Sequence, residues 1–232
     1  MISIIIPTYN EEAGIKETIQ RVSEYDEMNF IKEIIIADGG STDNTKEIAK
    51  NEGAKVAISP SKGRGAQMNY GASSATGEVL YFLHADTIPP RNFSADIANA
   101  VSKGFPSGCY RLSFDHQHWF LKANCRFTRF DVNAVRFGDQ SLFVTKNIFE
   151  KSGGFREDLL MMEDQEIISR IKKYGKFKVL DRSVITSARK YLDNGIYRMQ
   201  GIFFVIWLMY YFGYPQQKLL KLHRRLIHGH KL

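Results

Sequence analysis

Cysteine is nearly absent from this chain, which has two cysteines among its 232 residues. Cys109 and Cys125 lack the short spacing of a metal-binding pair, and two cysteines make no disulfide framework. The first residues also lack the basic start and the cleavage site of a signal peptide, and they predict a strand instead. These absences favour a reducing, cytoplasmic setting.

The chain also lacks internal repeats, low-complexity linkers and any recognised nucleic-acid-binding motif. Its length suits one large domain or two small ones, and 44% hydrophobic with 25% charged residues is typical of a globular protein. The formal net charge of +7 favours anionic partners such as phosphates or acidic lipid. Without a nucleic-acid motif, we expect no nucleic-acid partner.

Apolar runs alternate with amphipathic segments in the first half of the chain. Strands are predicted at 3–6, 31–37, 54–58 and 79–83, and helices after Asn10, after Asp43, at 66–75 and at 92–103. Asn10 is expected to cap its helix. Strands buried on both faces predict an α/β fold with a mostly parallel sheet. Segments 107–114 and 141–144 then predict a small antiparallel element, with a helix at 119–127 between them.

His84 and Asp86 follow the apolar run 79–83 and are two residues apart. In an extended chain their side chains point to the same side, and an imidazole and a carboxylate placed there can bind a divalent cation. The alternative is a plain turn, because Pro89 and Pro90 would end any strand. The spacing alone leaves both interpretations open.

Two further loops place polar groups at predicted strand ends. Asp38 and Gly39 follow the second strand, and Gly40 allows a tight turn. Lys62 and Arg64 lie in a glycine-containing loop before the next helix, where they can meet phosphate oxygens. A solvated connection is the alternative for that loop.

Glu163 and Asp164 begin a predicted helix that ends near Gly175. They either complement the helix dipole or supply a general base to a cleft.

These motifs together resemble family 2 glycosyltransferases. The matching segments are Ile4–Glu11, Glu33–Asp43, Leu83–Asp86 and Met162–Asp164, in that order along the chain. The resemblance implies an inverting enzyme that uses a nucleotide-diphosphate-sugar donor and has the Rossmann-like glycosyltransferase A fold. Gly138 to Gln140 also resemble a bacterial branch described as arsenosugar-biosynthesis glycosyltransferases.

The resemblance implies a role for each matching residue. Pro7 and Tyr9 line the base, Asp38 bonds the base or ribose, and Asp164 is the general base. The expected donor contacts are Pro7, Tyr9, Glu11, Asp38, Gly39, Arg64 and Asp86, and the expected ligands of Mg²⁺ or Mn²⁺ are Asp86 and His84. UDP is the expected nucleotide, and the acceptor hydroxyl is unassigned.

Two positions depart from the family pattern. His84 stands where the first aspartate of an Asp-x-Asp motif is common, so one carboxylate of that motif remains for the metal. Gly39 stands where a second aspartate is common, so Asp38 stands alone.

The end of the chain has a composition of its own. Residues 201–214 carry no charge and are too few to span a bilayer, while the tail after Pro215 is basic and has no acid. We expect a catalytic domain over 1–195, with a nucleotide half at 1–105 and an acceptor half at 106–195, followed by a helical tail over 196–232. The tail has three candidate partners: the core, a second subunit, or an anionic membrane at the inner face.

Two other functions fit parts of the pattern. A sugar-phosphate nucleotidyltransferase is also a nucleotide-binding α/β protein, but it commonly has a glycine-rich basic loop where Pro7 to Glu11 lie here. A non-catalytic nucleotide-sugar-binding module at the membrane is the third hypothesis, and the presence of both Asp86 and Asp164 argues against it.

Overall fold

The apolar runs of the first half of the chain form four neighbouring parallel strands of a mixed sheet in the computed structural model, which describes residues 1–133, 136 and 138–227. Its strands are β1 (Ile2–Thr8), β2 (Ile31–Asp38), β3 (Lys55–Ile58) and β4 (Val79–Phe82). β1 pairs in parallel with β2 and β4, and β2 pairs in parallel with β3. β4 is buried along its whole length, which explains its continuous apolar sequence.

Helices connect these strands and cover the sheet. They are α1 (Ile15–Glu24), α2 (Thr45–Asn51), α3 (Arg64–Ser74) and α4 (Phe93–Ser102). Successive residues of β1 pack into separate apolar cores, with Ile4 in one and Ile5 in the other, because side chains alternate across a strand. The predicted α/β fold with a mostly parallel sheet is confirmed.

α1 begins at Ile15 and not directly after Asn10, so the predicted cap is wrong. Asn10 has a positive φ of 54°, and its side-chain oxygen accepts a hydrogen bond from the backbone N–H of Thr42 at 2.9 Å. The N–H of Glu11 donates to Oγ1 of Thr45 at 2.8 Å. Bonds between two distant loops therefore replace the local helix cap.

The second part of the sheet contains β5 (Thr87–Ile88), β6 (Ser107–Phe114), β7 (Leu142–Thr145) and β8 (Phe177–Thr186). β7 runs antiparallel to both β4 and β6, which confirms the predicted antiparallel element. β8 is not predicted from the sequence, because Lys178, Asp181 and Arg182 interrupt its apolar pattern. The strand order is β3-β2-β1-β4-β7-β6-β8-β5.

The second half of the chain supplies the other helices of the described residues. They are α5 (Trp119–Phe127), α6 (Lys146–Lys151), α7 (Glu163–Ile171), α8 (Arg189–Asn194), α9 (Ile196–Tyr211) and α10 (Gln216–Leu226), with a 3₁₀ turn at Gly138–Gln140.

α9 and α10 form an antiparallel hairpin, in which Nη2 of Arg198 donates to the carbonyl of Leu226 at 2.7 Å. α9 starts before the uncharged segment and ends ahead of Gly213, which has a positive φ of 73°. It buries Met199, Ile202 and Ile206 and exposes its opposite side, so one side of this largely apolar helix is covered. Among the residues that the structure describes, no helix has the length and apolar character needed to cross a membrane.

Candidate active site

The carboxyl ends of three parallel strands lie next to each other. Thr8 pairs with Asp38, and Ile5 pairs with Phe82. The segments that leave β1, β2 and β4 therefore start at one edge of the sheet, where ligands bind in open α/β folds. This edge is the floor of a cleft.

Asp38 lies beneath this floor and not in the cleft. It is fully buried, and Oδ1 accepts from the N–H groups of Gly40 at 3.0 Å and Ser41 at 2.8 Å. Oδ2 accepts from the hydroxyls of Thr8 and Ser41. Both carboxylate oxygens are thus used to hold the β2–α2 loop, and the predicted contact of Asp38 with base or ribose is not supported by this geometry.

Gly39 lines the cleft, and the space beside it explains why it departs from the family pattern. A Cβ atom at this position would lie 2.6 Å from Nε2 of Gln67. That nitrogen donates to the carbonyl of Thr8 at 2.6 Å and to the carbonyl of Ala37 at 3.1 Å, which ties α3 to the strand ends. An aspartate at this position would displace Gln67 from these bonds.

Arg64 begins α3 and reaches the cleft, with its side chain 33% exposed. Its Nε donates to Oε1 of the buried Glu163 at 2.7 Å. Burial lowers the pKa of the Arg64 guanidinium, but the charges of Glu163, Asp164 and Asp139 outweigh burial and raise it. Glu163 therefore holds Arg64 in its charged form at the cleft wall, a pairing that sequence spacing did not reveal.

His84 forms a hydrogen-bonded pair with Asp139, from Nδ1 to Oδ1 at 2.8 Å. Burial opposes the charged form of His84, yet the bond to Asp139 raises the pKa of the imidazole. Burial also acts to raise the pKa of Asp139, but the bond to His84 and the charges of Lys190 and Arg64 lower it to about 2. The sequence marked Asp139 as part of a motif but gave no signal that it pairs with His84.

Asp164 lies in the first turn of α7 and packs against the 3₁₀ turn. A Cβ atom on Gly138 would lie 2.2 Å from Oδ2 of Asp164 and 2.9 Å from Cε1 of His84. The absence of a side chain at Gly138 thus lets the carboxylate and the imidazole approach the same point.

The cleft has a volume of about 550 Å³, within the range of about 300–1,000 Å³ of small-molecule sites. Asp86 and Asp164 both line it, so folding brings together two of the three aspartates that the sequence analysis placed in one site. The predicted residues that line it are Pro7, Tyr9, Glu11, Gly39, Arg64, His84, Asp86 and Asp164. The predicted residue that does not is Asp38.

The far wall of the cleft is built by α9 and α10. Phe203, Ile206 and Trp207 of α9 and Leu220 of α10 line it, opposite the strand ends. The loop before α7 is fixed to α10, because the N–H groups of Leu160 and Met161 both donate to Oε1 of Gln216, at 3.1 and 3.0 Å. The α9–α10 side of the cleft thus combines these apolar side chains with the polar Gln200, His223 and Arg224.

A protein-only metal centre is not formed by the described residues, since no three His, Cys, Asp or Glu side chains are grouped to hold an ion. Asp86 has a carboxylate in the cleft, and His84 has its Nδ1 engaged by Asp139. This donor set fits a cation that arrives with a diphosphate, since Mg²⁺ is commonly bound by one or two carboxylates plus substrate phosphates.

Comparison with known proteins adds a family match. The family model described as glycosyl transferase family 2 matches residues 3–156, which contain Pro7 to Asp139 and end before Asp164. The undecaprenyl-phosphate 4-deoxy-4-formamido-L-arabinose transferase of Aeromonas hydrophila is 29% identical over 130 residues, which cover 53% of this chain and 40% of that protein. The chain thus spans less than half the length of this relative.

Solved structures show the same fold. The mannosyltransferase PcManGT from Pyrobaculum calidifontis, solved with GDP-Man and Mn²⁺, superposes with a TM-score of 0.71 at 16% identity and covers 97% of this chain and 69% of that chain. TarS 1–349 of S. aureus, solved with UDP, superposes with a TM-score of 0.68 at 19% identity, covering 80% and 60%. At these identities the likeness concerns the fold.

Proposed function

The chain belongs to glycosyl transferase family 2, and from that premise we propose that it transfers a sugar from a nucleotide-diphosphate-sugar to an acceptor hydroxyl with inversion. The observation that carries this proposal is the cleft itself. It brings Asp86 from the end of β4 and Asp164 from the start of α7 to one cavity, beside the cationic Lys62 and Arg64. The family match favours this function over the nucleotidyltransferase and the non-catalytic module.

The donor is proposed to lie along the strand ends. Pro7 and Tyr9 contact the base there, with Glu11 and Gly39 beside it, and UDP is the proposed nucleotide. Arg64 donates to the diphosphate from the position in which Glu163 holds it. Asp38 acts indirectly in this proposal, because its bonds to Gly40 and Ser41 fix the loop that presents Gly39.

A divalent cation is proposed to bind with the donor. Asp86 would hold it, with His84 as a further ligand whose ring Asp139 orients. When bound, Mg²⁺ or Mn²⁺ supplies charge neutralisation to the leaving diphosphate. The structure of PcManGT, which has the same fold, contains Mn²⁺ and supports the proposal of a divalent cation.

Asp164 is proposed as the general base. In a single in-line displacement, the acceptor oxygen forms its bond to the anomeric carbon while the bond to the diphosphate oxygen breaks. Asp164 accepts the proton of the acceptor hydroxyl. The leaving group is the nucleoside diphosphate, whose negative charge Arg64 and Lys62 stabilise.

The division of labour along the chain is also part of the proposal. Residues 1–195 carry donor binding and catalysis, and within the tail over 196–232 the helices α9 and α10 close the acceptor side of the cleft, because both line it. We also propose that the protein lies at the inner face of the membrane and that it belongs to the arsenosugar-type branch.

Substitution Asp164→Asn tests the base. A single positioned base contributes about 10²–10⁴-fold, so we expect transfer to fall by that factor while UDP binding, measured by calorimetry, is retained. The exposed Asp193 on α8 supplies the matched control, and Asp193→Asn should leave both quantities unchanged. An Asp164→Asn enzyme with full activity would remove this residue from the role.

A further inference from the structure

α9 presents an apolar stripe to solvent. Tyr197, Phe204, Val205, Tyr211 and Phe212 are exposed, and Phe212 is 76% exposed. Their spacing places them on one side of the helix, and Met199, Ile202 and Ile206 occupy the buried side. The exposed side of a surface helix is normally polar, so an apolar stripe here marks an interaction surface.

Aromatic rings form most of this stripe. Trp207 lies between Phe204 and Tyr211, with ring centroids 6.0 Å and 4.6 Å away. Nζ of Lys218 lies 5.7 Å from the ring centroid of Tyr214, in the turn between α9 and α10. Tyrosine and tryptophan are favoured where one side of a surface is apolar and the other wet, as at a lipid headgroup layer.

The neighbouring helix α10 supplies positive charge. Lys218, Lys221 and Arg225 are exposed on it, and Arg198 of α9 contacts its carboxyl end. The sequence has no acidic residue after Asp193, so neither α9 nor α10 carries a negative side chain. The hairpin is thus a positively charged surface next to an aromatic one.

We propose that the α9–α10 hairpin docks on an anionic lipid bilayer. The aromatic stripe of α9 enters the interfacial layer, and the cations of α10 contact lipid phosphates. A second copy of the chain is a poorer occupant, because a two-fold contact through the hairpin would bring the cations of both copies together. Charge complementarity therefore selects the bilayer.

Docking deepens the proposed place at the membrane and does not depend on the proposed transfer chemistry. The helices that would contact lipid also line the cleft, with Ile206 and Trp207 among their lining residues. A docked enzyme would hold the side of its cleft that is lined by α9 and α10 near the headgroup layer.

Co-sedimentation of the full chain with vesicles tests the proposal. We expect binding to phosphatidylcholine vesicles that contain phosphatidylglycerol, and binding weaker by at least about tenfold to pure phosphatidylcholine or at high salt. The double substitution Lys221→Glu with Arg225→Glu should weaken binding to anionic vesicles at least about tenfold. Its matched control is Lys46→Glu with Lys50→Glu on α2, which has the same spacing and should bind as the wild type does.

A second double substitution tests the aromatic stripe of α9. Phe204→Ser with Phe212→Ser should lower vesicle binding, whereas Met28→Ser with Ile58→Ser, two exposed apolar residues elsewhere, should not. Calorimetric UDP binding by each variant separates a docking defect from misfolding and from failure of the proposed function. Equal binding to neutral and anionic vesicles, or a stable dimer that the phenylalanine variant dissociates, would overturn the proposal.

Discussion

Glu163 is a carboxylate with 1% exposure whose two oxygens have different surroundings. Oε1 accepts from Arg64, while Oε2 is buried and has no hydrogen-bond partner among the described residues. Burial, together with the charge of Asp164, raises the pKa of Glu163, and the charge of Arg64 opposes that rise. Such an uncompensated oxygen costs stability, which indicates that the residue serves the position of Arg64.

Substitution Glu163→Gln tests this role, because the amide keeps an acceptor for Arg64 and removes the charge. We expect UDP affinity to fall by roughly tenfold, since bonds to charged groups contribute about 1.5–3 kcal/mol. The carboxyl of Glu163 has a pKa of 4.5 in the unfolded chain and a higher pKa in the folded protein, so the folded state keeps its proton to a higher pH. The contribution of Glu163 to stability therefore falls as pH rises through the raised pKa. The Glu163→Gln variant has no carboxyl to titrate at this position, so its stability should not show this decrease. It should equal or exceed the wild type in stability at neutral pH.

Glu166→Gln on the same helix is the control for that experiment, because Glu166 pairs with Arg170 outside the cleft lining. It should leave UDP affinity unchanged. Unaltered UDP affinity in Glu163→Gln would show that the ion pair does not serve the donor site.

At the scale of elements, Glu33 joins four parts of the sheet. Its carboxylate accepts from Ser3 of β1 at 2.8 Å, from Lys55 of β3 at 2.6 Å, and from the N–H and hydroxyl of Thr76 ahead of β4. Burial acts to raise the pKa of Glu33, but the bonds from Lys55, Thr76 and Ser3 lower it from 4.5 to about 2. The negative charge at this end of the sheet is therefore stabilised by the fold.

Substitution Glu33→Gln should lower the free energy of unfolding at pH 7 by about 2–3 kcal/mol. This value is the free-energy equivalent of the pKa shift of Glu33, reduced because Lys55 is exposed and solvent screens its charge. A depressed pKa contributes stability above 4.5 that is lost as pH falls through about 2. The difference between variant and wild type should therefore vanish near pH 2. Urea unfolding at several pH values measures the difference in free energy of unfolding between variant and wild type, and Glu47→Gln on the exposed side of α2 is the control. A difference that is the same at every pH would contradict this account.

At the scale of the whole molecule, the cleft takes residues from the ends of β1, β2 and β4, from α3 and from α7. Because the described side chains form no metal centre by themselves, we expect Mn²⁺ alone to bind weakly. Calorimetry should show that UDP binds more tightly than other nucleoside diphosphates, and that its binding is weaker when Mn²⁺ and Mg²⁺ are absent.

Asp86→Ala should lower UDP affinity in Mn²⁺ by at least about tenfold and leave the weaker metal-free binding unchanged. Asp181→Ala, which removes an exposed carboxylate of β8, is the control. Equal metal dependence in both variants would exclude Asp86 as the residue that holds the cation.

Local sequence patterns determined much of this protein. Runs of isoleucine and valine specify the buried parallel strands, because burial on both faces requires apolar residues at consecutive positions. The segments that follow those runs contain Tyr9, Gly39 and Asp86, which were therefore expected at one edge of the sheet. The candidate site positions, including Asp164 at a helix start, thus followed from the order of motifs along the chain together with the family resemblance that this order carries.

Tertiary structure alone decided which of these groups face the cleft. Asp38 is buried by bonds to Thr8 and Ser41, and His84 is paired with Asp139, far from it in sequence. β8, with its charged residues, becomes a strand because β6 offers a parallel partner. The uncharged sequence of α9 likewise did not specify which side is covered. Each outcome depends on contacts between residues distant in the chain, which a local pattern does not encode.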